Sequence, residues 1–385
     1  MTLTQDTERA DERSLLRDAA ARYIERDYSF EQRRARQQSA PPDPDPVWMQ
    51  FAEMGWLALG APEDCGGFGD AHDAAIVAEA LGRAQALEPW LAQIGLCQPL
   101  LSRLHAGADL RAGELLGRMG EGRLRVALAA WEPQGRHDAF DIQTTAQPIA
   151  EGRWQLDGRK TLVLGGAQAH TLLVVARESG AARELQGLSL FAVPADTPGL
   201  QRHGLPTYDG RHSADLRLHD VQLPGSARLG PGAGLWPSLE AAIDQATALA
   251  CIEAVGTMDR VLTLTKDYLQ QRRQFGRPLT ANQVLRHRLV DLYVLIEQSR
   301  AISLAAIEAL TDSVPARRRA VSLAKAFVSP AARRCGEEGV QLHGAIGMTL
   351  DTEIGQAARR LSGMANLLGD EAWHLERLSR HGTPD

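Results

Sequence analysis

Cysteine is scarce in this 385-residue chain, and the four present, Cys65, Cys97, Cys251 and Cys335, are too far apart for a CxxC metal or redox element and too few for a disulfide scaffold. Reduced thiols in a cytoplasmic protein are expected. The start, MTLTQDTERADER, is acidic where an export signal needs basic residues and an apolar run, and no apolar stretch is long enough to span a bilayer. Neither export nor membrane insertion is expected. Positive charge is not in excess: 42 Lys and Arg against 48 Asp and Glu leave a net charge of -6, without the dense positive field that a nucleic-acid surface needs. The 11 histidines show no HExxH or paired metal spacing, and no GxSxG marks a serine nucleophile, so metal and serine hydrolysis lack a sequence basis. GPGAG at 230–234 lacks the GxGxxG spacing and the Lys-Ser/Thr ending of phosphate loops, and reads as an ordinary loop into the next helix.

What is present is ordinary globular material, 44% hydrophobic and 23% charged without low-complexity tracts, and long enough for two or three packed units. Its texture changes twice. Residues 1–125 are rich in Ala, Leu, Arg and Glu with apolar residues at helical spacing, as in LLRDAAARYI and AAIVAEALGRA, and predict a helical domain. APPDPDP at 40–46 and PEDCGGFG at 62–69 interrupt it. Residues 126–234 carry short apolar or alternating runs, RVALAAW, RWQLDGRKTLVL, HTLLVVAR, LSLFAVP and ADLRLHDVQL, with turns expected at Asp157-Gly158 and Asp209-Gly210. They predict an antiparallel barrel or sandwich. Residues 235–385 return to long helical periods and predict a bundle packed lengthwise. The fold class is therefore α+β in the order helices, strands, helices.

Two segments could carry chemistry. In Arg272-Arg273-Gln274-Phe275-Gly276, followed by Pro278 and Thr280-Ala281-Asn282-Gln283, an arginine fork suits a pyrophosphate and an aromatic beside a Gly turn suits a flat cofactor. A solvated helix end, followed by a capping box formed by Thr280 and Gln283, is the other reading. In Gln341-Leu342-His343-Gly344-Ala345-Ile346-Gly347 small residues after a long helix allow close backbone approach to a ligand, or simply a glycine stop. His343 reads as a packed residue, with no carboxylate beside it in sequence.

Read in order, these pieces resemble the acyl-CoA dehydrogenases over nearly the whole chain. MGWLALGAPEDCGGFG is similar to the family's N-terminal signature, and WEPQGRHD to its TEPxAGSD loop. LDGRKTLVLGG resembles the LxGxKxxITNG strand, RRQFGRPL the RxQFGxPI turn, and VQLHGAIGM the QxxGGxG segment. YSFEQRR, PTYDGRHSADLRL, CIEAVGTMD and LLGDEAWHL are most similar to the small subunit of pimeloyl-CoA dehydrogenase and related chains. The resemblance implies an N-terminal helical domain, a middle β domain and a C-terminal four-helix bundle. It implies FAD as cofactor, an acyl-CoA substrate, an electron-acceptor flavoprotein, and a homodimer, homotetramer or heterotetramer with a larger paralogous subunit. By resemblance, Arg272, Gln274 and Phe275 reach a neighbouring subunit's FAD, Gln341 and Gly344 meet its adenosine-pyrophosphate region, and Gln283 lies near FAD or caps its helix. Trp131 stands for the Thr of TEPxAGSD, and Leu164 for the Thr whose hydroxyl faces the flavin. Asp370 is expected at FAD or at a helix N-terminus.

The family's base is the exception. Most members carry a Glu in a YEGT-like loop, and counting from Gln341 puts Leu368 there. Others place the Glu on an earlier helix, where counting back from RQFG gives Ala246. Asp244, two residues away, is the remaining candidate, as base or as a helix brace. Three functions follow: a dehydrogenase subunit whose partner supplies the base, a flavin monooxygenase of the same fold, or a catalytically silent scaffold.

Overall fold

The computed structural model describes residues 3–38, 45–230 and 234–381. The first region holds α1 (Leu3–Asp27), α2 (Phe30–Gln37), α3 (Pro46–Glu53), α4 (Ala71–Ala84), a π-helical turn (Leu91–Cys97), α5 (Gln98–Ala106) and α6 (Leu110–Gly120). Local chemistry sets their starts. Ser29 and Gln32 form a capping box on α2, and Asp70 and Asp73 another on α4. Most of the APPDPDP break, residues 40–44, lies outside the described residues, but Asp45 caps α3 by accepting from the Val47 amide at 3.0 Å. Residues 231–233 of GPGAG also lie outside them.

Eight strands make one sheet: β1 (Val126–Ala129), β2 (Thr145–Ile149), β3 (Arg153–Leu164), β4 (Thr171–Arg177), β5 (Leu188–Pro194), β6 (Leu200–Pro206), β7 (His212–Leu223) and β8 (Arg228–Leu229). Their path is β6-β7-β3-β2-β4-β5-β8, with β1 beside β4. Pairing is antiparallel, as expected, except that β1 runs parallel to β4 and β2 meets β4 in parallel at Thr145 and Arg177. β4 is apolar from Leu172 to Ala176 because both its faces are covered: Leu172, Val174 and Ala176 enter one core, Leu173 and Val175 the other, which helices complete. Asp209-Gly210 makes the expected turn between β6 and β7, with Gly210 at φ 87°. Asp157-Gly158 does not turn. It lies inside β3 at a register shift, where Asp157 accepts from the Asp220 amide and a Cβ on Gly158 would come within 2.4 Å of the Thr144 hydroxyl oxygen.

The last region contains α7 (Trp236–Gln271), the β9–β10 hairpin (Arg273–Gln274 and Arg277–Pro278), α8 (Gln283–Glu308), α9 (Val314–His343), α10 (Glu353–Met364) and α11 (Glu371–His381). α7, α8, α9 and α10 pack on one another, and α11 lies against α9. α7 also locks onto α4. A Cβ on Gly82 would sit 2.0 Å from the Glu253 carbonyl oxygen, and one on Gly256 2.0 Å from that of Glu79, so two glycines let the backbones meet. No helix among the described residues is long and apolar enough to cross a membrane.

Lys325 on α9 is buried, and its ammonium donates to the Met364 carbonyl at 2.5 Å. Burial disfavours the charged form and pushes its pKa from 10.5 down to about 8. Between pH 8 and 10.5 the unfolded chain holds a Lys325 proton that the folded chain has released, so this residue's contribution to stability improves as pH rises through that window. Lys325→Met should remove this gain, roughly 3 kcal/mol across the window. Paired denaturant titrations at pH 7.5 and 10.5 check it: the wild-type chain should gain more stability than the variant between the two pH values.

Candidate active site

A cavity of about 510 Å³ opens where the three regions meet. Leu91 and Ala92 of the π-helical turn form one wall, Trp131, Leu164 and Gly165 of the sheet region a second, and Leu367 and Leu368 after α10 a third. Gly165 lies at φ 68°, and a Cβ there would press on the Pro89 ring at 2.7 Å, so glycine lets the strand end pass close beneath the first wall. The structure thus brings together three residues far apart in sequence, Trp131, Leu164 and Leu368. Trp131 donates from its indole to the His137 carbonyl at 3.3 Å, which fixes its ring. The walls are mainly apolar and suited to a flat ring system.

Three carboxylates line the cavity among the described residues, Glu88, Glu132 and Asp209, and each is already engaged. Glu88 accepts from the Tyr28 hydroxyl and from Arg36, both at 2.7 Å. Glu132 accepts from Lys160 at 2.7 Å and from the Gln143 and Thr144 amides at 2.8 and 3.0 Å. Burial raises its pKa, but the Lys160 charge and these bonds outweigh burial and hold the carboxyl below its ordinary range. Asp209 lies 2.6 Å from Arg211 and 3.3 Å from Arg360. Burial opposes its ionisation, yet the two guanidiniums leave it well below the usual carboxylate range. None of the three is a free proton acceptor. His137 also lines the cavity, with Nε2 3.7 Å from Asp370.

Asp244 is not at the cavity. It is fully buried on α7, 2.8 Å from Arg317 of α9 and 2.7 Å from Arg377 of α11, and so acts as a brace. Ala246 is likewise buried, in the core between α7 and the π-helical turn. Asp370 caps α11, accepting from the Trp373 amide at 2.8 Å.

The RQFG segment is a hairpin rather than a frayed helix end. Phe275 and Gly276 both have positive φ, 51° and 79°, as a two-residue turn between paired strands requires. Arg272, Gln274 and Phe275 are exposed on it, Phe275 at 99%, and none lines the cavity. The expected capping box of Thr280 and Gln283 does not form: Asn282 is the cap residue of α8 without a side-chain cap bond, because its carboxamide accepts from Arg277 instead. Gln283 is exposed. Gly344 ends α9 at φ 69°, and a Cβ there would meet nothing within 4 Å, so conformation rather than space calls for glycine. Gln341 lines a second recess, of about 380 Å³, with Arg333 and Arg359, and Tyr208 lines both spaces. His343 stacks on Tyr268 at 4.5 Å and is a packed residue.

The acyl-CoA dehydrogenase N-terminal domain matches residues 10–119, the middle domain 127–221 and the C-terminal domain 234–383. The chain belongs to the acyl-CoA dehydrogenase family. It is 30% identical over 370 residues to acyl-CoA dehydrogenase IpdE2 of Mycobacterium tuberculosis, with 96% of each chain covered. Among solved structures it resembles a variant of the Tcur3481-Tcur3483 steroid ACAD at 26% identity and TM-score 0.83, covering 97% of this chain and 98% of that one. The fold is shared with an acyl-CoA dehydrogenase of Geobacillus kaustophilus, at 23% identity and TM-score 0.87 over 97% and 98% of the two chains. Membership makes this chain an oxidoreductase acting on CH–CH bonds with FAD as cofactor. The apolar cavity beside a recess holding two arginines fits such a group, flat ring in the first and phosphates toward the second.

Asp244→Asn should take the nearer carboxylate from Arg317 and Arg377 and leave them only Glu240, at 3.9 and 3.4 Å. A loss of about 3–5 kcal/mol in the unfolding of the helical region is expected, with flavin content unchanged in the folded fraction. Denaturation followed by circular dichroism, with flavin absorbance read in parallel, checks both parts.

Proposed function

We propose that this chain is a FAD-binding acyl-CoA dehydrogenase subunit that lacks its own catalytic base and works with a larger paralogous subunit that supplies one. One observation carries the proposal: Leu368 faces the cavity from the loop where the family's Glu is expected, while Glu88, Glu132 and Asp209 are all bound to cations or hydrogen-bond donors. The name of the Tcur3481-Tcur3483 relative, which pairs two designations, supports a two-component reading. Exposed Val290, Tyr293 and Val294 lie three and four residues apart on α8, with exposed Leu304 about three turns beyond Tyr293, and suit burial against another chain.

In this reading Trp131, Leu164 and Leu91 would hold the flat ring of FAD, and Arg333, Arg359 and Gln341, in a recess that Glu337 shares, would meet phosphate-bearing parts of nucleotides. Arg272, Gln274 and Phe275, exposed on their hairpin, contact the FAD of a neighbouring subunit. Bound FAD supplies the hydride acceptor. An acyl-CoA loses its α hydrogen as a proton to a carboxylate and its β hydrogen with its electron pair, leaving a double bond between the two carbons. The apolar residues that line this chain's cavity would hold the thioester and exclude water, and the proton would go to the partner's carboxylate.

The isolated chain should therefore reduce its flavin with saturated acyl-CoA about two to four orders of magnitude more slowly than a base-containing dehydrogenase. Leu368→Glu should accelerate anaerobic flavin bleaching by an acyl-CoA that already binds. Ordinary dehydrogenase turnover by the wild-type chain alone would refute the proposal, and flavin oxygenation of a substrate without bleaching by acyl-CoA would favour the monooxygenase reading.

Arg272→Ala should lower flavin occupancy while light scattering still gives a mass of at least two chains, because the substitution removes a guanidinium and leaves the apolar α8 face intact. Full occupancy at unchanged affinity would mean that Arg272 does not hold the cofactor.

A further inference from the structure

The geometry points to a binding site for one borderline divalent transition-metal ion, of the Zn²⁺ class, at Asp64, Cys65 and His105, away from the cavity. One ligand atom from each residue, a carboxylate oxygen, the thiol sulfur and an imidazole nitrogen, lies within 4.8 Å of the others. His105 Nε2 is 2.8 Å from Asp64 Oδ2. Ligands around a tetrahedral zinc ion stand roughly 3.5 Å apart, so the three atoms need only small side-chain rotations to converge on one ion. A thiolate with an imidazole favours Zn²⁺ and its neighbours over Mg²⁺ or Ca²⁺, which take oxygen ligands.

The site is held by backbone that leaves little freedom. Asp64 and Cys65 lie on the 3₁₀ turn Glu63–Cys65, closed by bonds from the Cys65 amide to the Pro62 carbonyl and from the Gly66 amide to the Glu63 carbonyl. Gly66 is left-handed at φ 80°, and a Cβ on Gly67 would fall 2.1 Å from the Ala61 carbonyl oxygen. His105 stands in the last turn of α5. Gly113 of α6 fits against both ligands: a Cβ there would lie 2.7 Å from His105 Nδ1 and 3.5 Å from the Cys65 sulfur. A side chain at Gly113 would thus displace the imidazole from the thiol. Cys65 packs against the core below, whereas Asp64 has its side chain 69% exposed, which leaves the fourth coordination position to water. Asp64 and His105 are 41 residues apart, so no local spacing motif marks the set.

None of the three residues lines the cavity, so metal binding and the flavin reading are separable. The test uses the full chain with its FAD, reduced and freed of metal by a chelator that is then removed. Titration with Cd²⁺ should produce a thiolate-to-metal charge-transfer band that saturates at one equivalent, and Zn²⁺, measured by competition with a chromophoric chelator, should displace it. Cys65→Ser should abolish the band, and His105→Gln should weaken Zn²⁺ binding by at least about tenfold to a hundredfold. Asp64→Asn, at the most exposed ligand, is the milder variant and should weaken it less. Flavin content should be unchanged in all three. Absence of a charge-transfer band in the wild-type chain, or Zn²⁺ affinity unchanged in both His105→Gln and Asp64→Asn, would overturn the assignment.

Discussion

Arg360 is the side chain that ties the sheet region to the C-terminal helices. From α10 it hydrogen-bonds to Glu253 of α7 and to Asp209 in the turn between β6 and β7. Arg211 binds the same Asp209 carboxylate and lies 3.5 Å from Glu253, while Arg33 of α2 donates to the Asp209 and Gln85 carbonyls. All but Arg211 are at least nine-tenths buried, and moving such ions out of water costs several kcal/mol each unless partners are in place. The arrangement is therefore intolerant of error. A shift of the β6–β7 turn against α10 would leave a buried charge alone, so the network fixes how the sheet sits on the helices. Asp209 and Arg211 also line the cavity, and the shape of the site is set by the same contacts.

Much of this order was legible in the sequence because it rests on periodicity. The helical spacing in LLRDAAARYI became α1, and the unbroken apolar run of HTLLVVAR became β4, a strand buried on both faces. What escaped were features decided by contacts distant in sequence. Asp157-Gly158 carries a turn signal, yet Asp220 and Thr144 from elsewhere occupy its side chain and its space, and the chain runs straight on as strand. Thr280 and Gln283 carry a capping signal, yet the helix starts later. The parallel pairing of β1 with β4 leaves no mark in either strand's composition.

The site shows the same division. Trp131, Leu164 and Leu368 were identified through motif position, and the fold gathers them around one cavity. The engagement of Glu88, Glu132 and Asp209 could not be read from sequence, since Lys160 stands 28 residues from Glu132 and Arg36 stands 52 from Glu88. Asp244 looked ambiguous for the same reason: the two arginines paired with it, Arg317 and Arg377, stand 73 residues away and further. Ionisable side chains acquire their function from neighbours, and neighbours are a property of the fold.

The loop carrying Leu368 shows how neighbours can set the direction of a cavity-lining residue independently of its side chain. Leu368 has φ 59°, a left-handed conformation that costs a residue with a Cβ roughly 1–2 kcal/mol. Nothing in a leucine side chain favours that conformation. It is imposed from outside: the Leu368 carbonyl accepts from His374 Nε2 at 3.1 Å, and Gly369 follows at φ 108°, where a Cβ would strike His374 and Trp373. Burial pushes the His374 pKa down to about 3 and keeps the ring neutral, so only one of its nitrogens carries a proton. With Nε2 donating to a carbonyl, Nδ1 is left to accept from the Ser322 hydroxyl at 3.3 Å, and that hydroxyl accepts in turn from Arg377. Arg377 is one of the two cations on Asp244, so a single chain of contacts runs from the α7 brace to the Leu368 backbone. Backbone and neighbours dictate where residue 368 points, and its side chain is free to change without moving the loop.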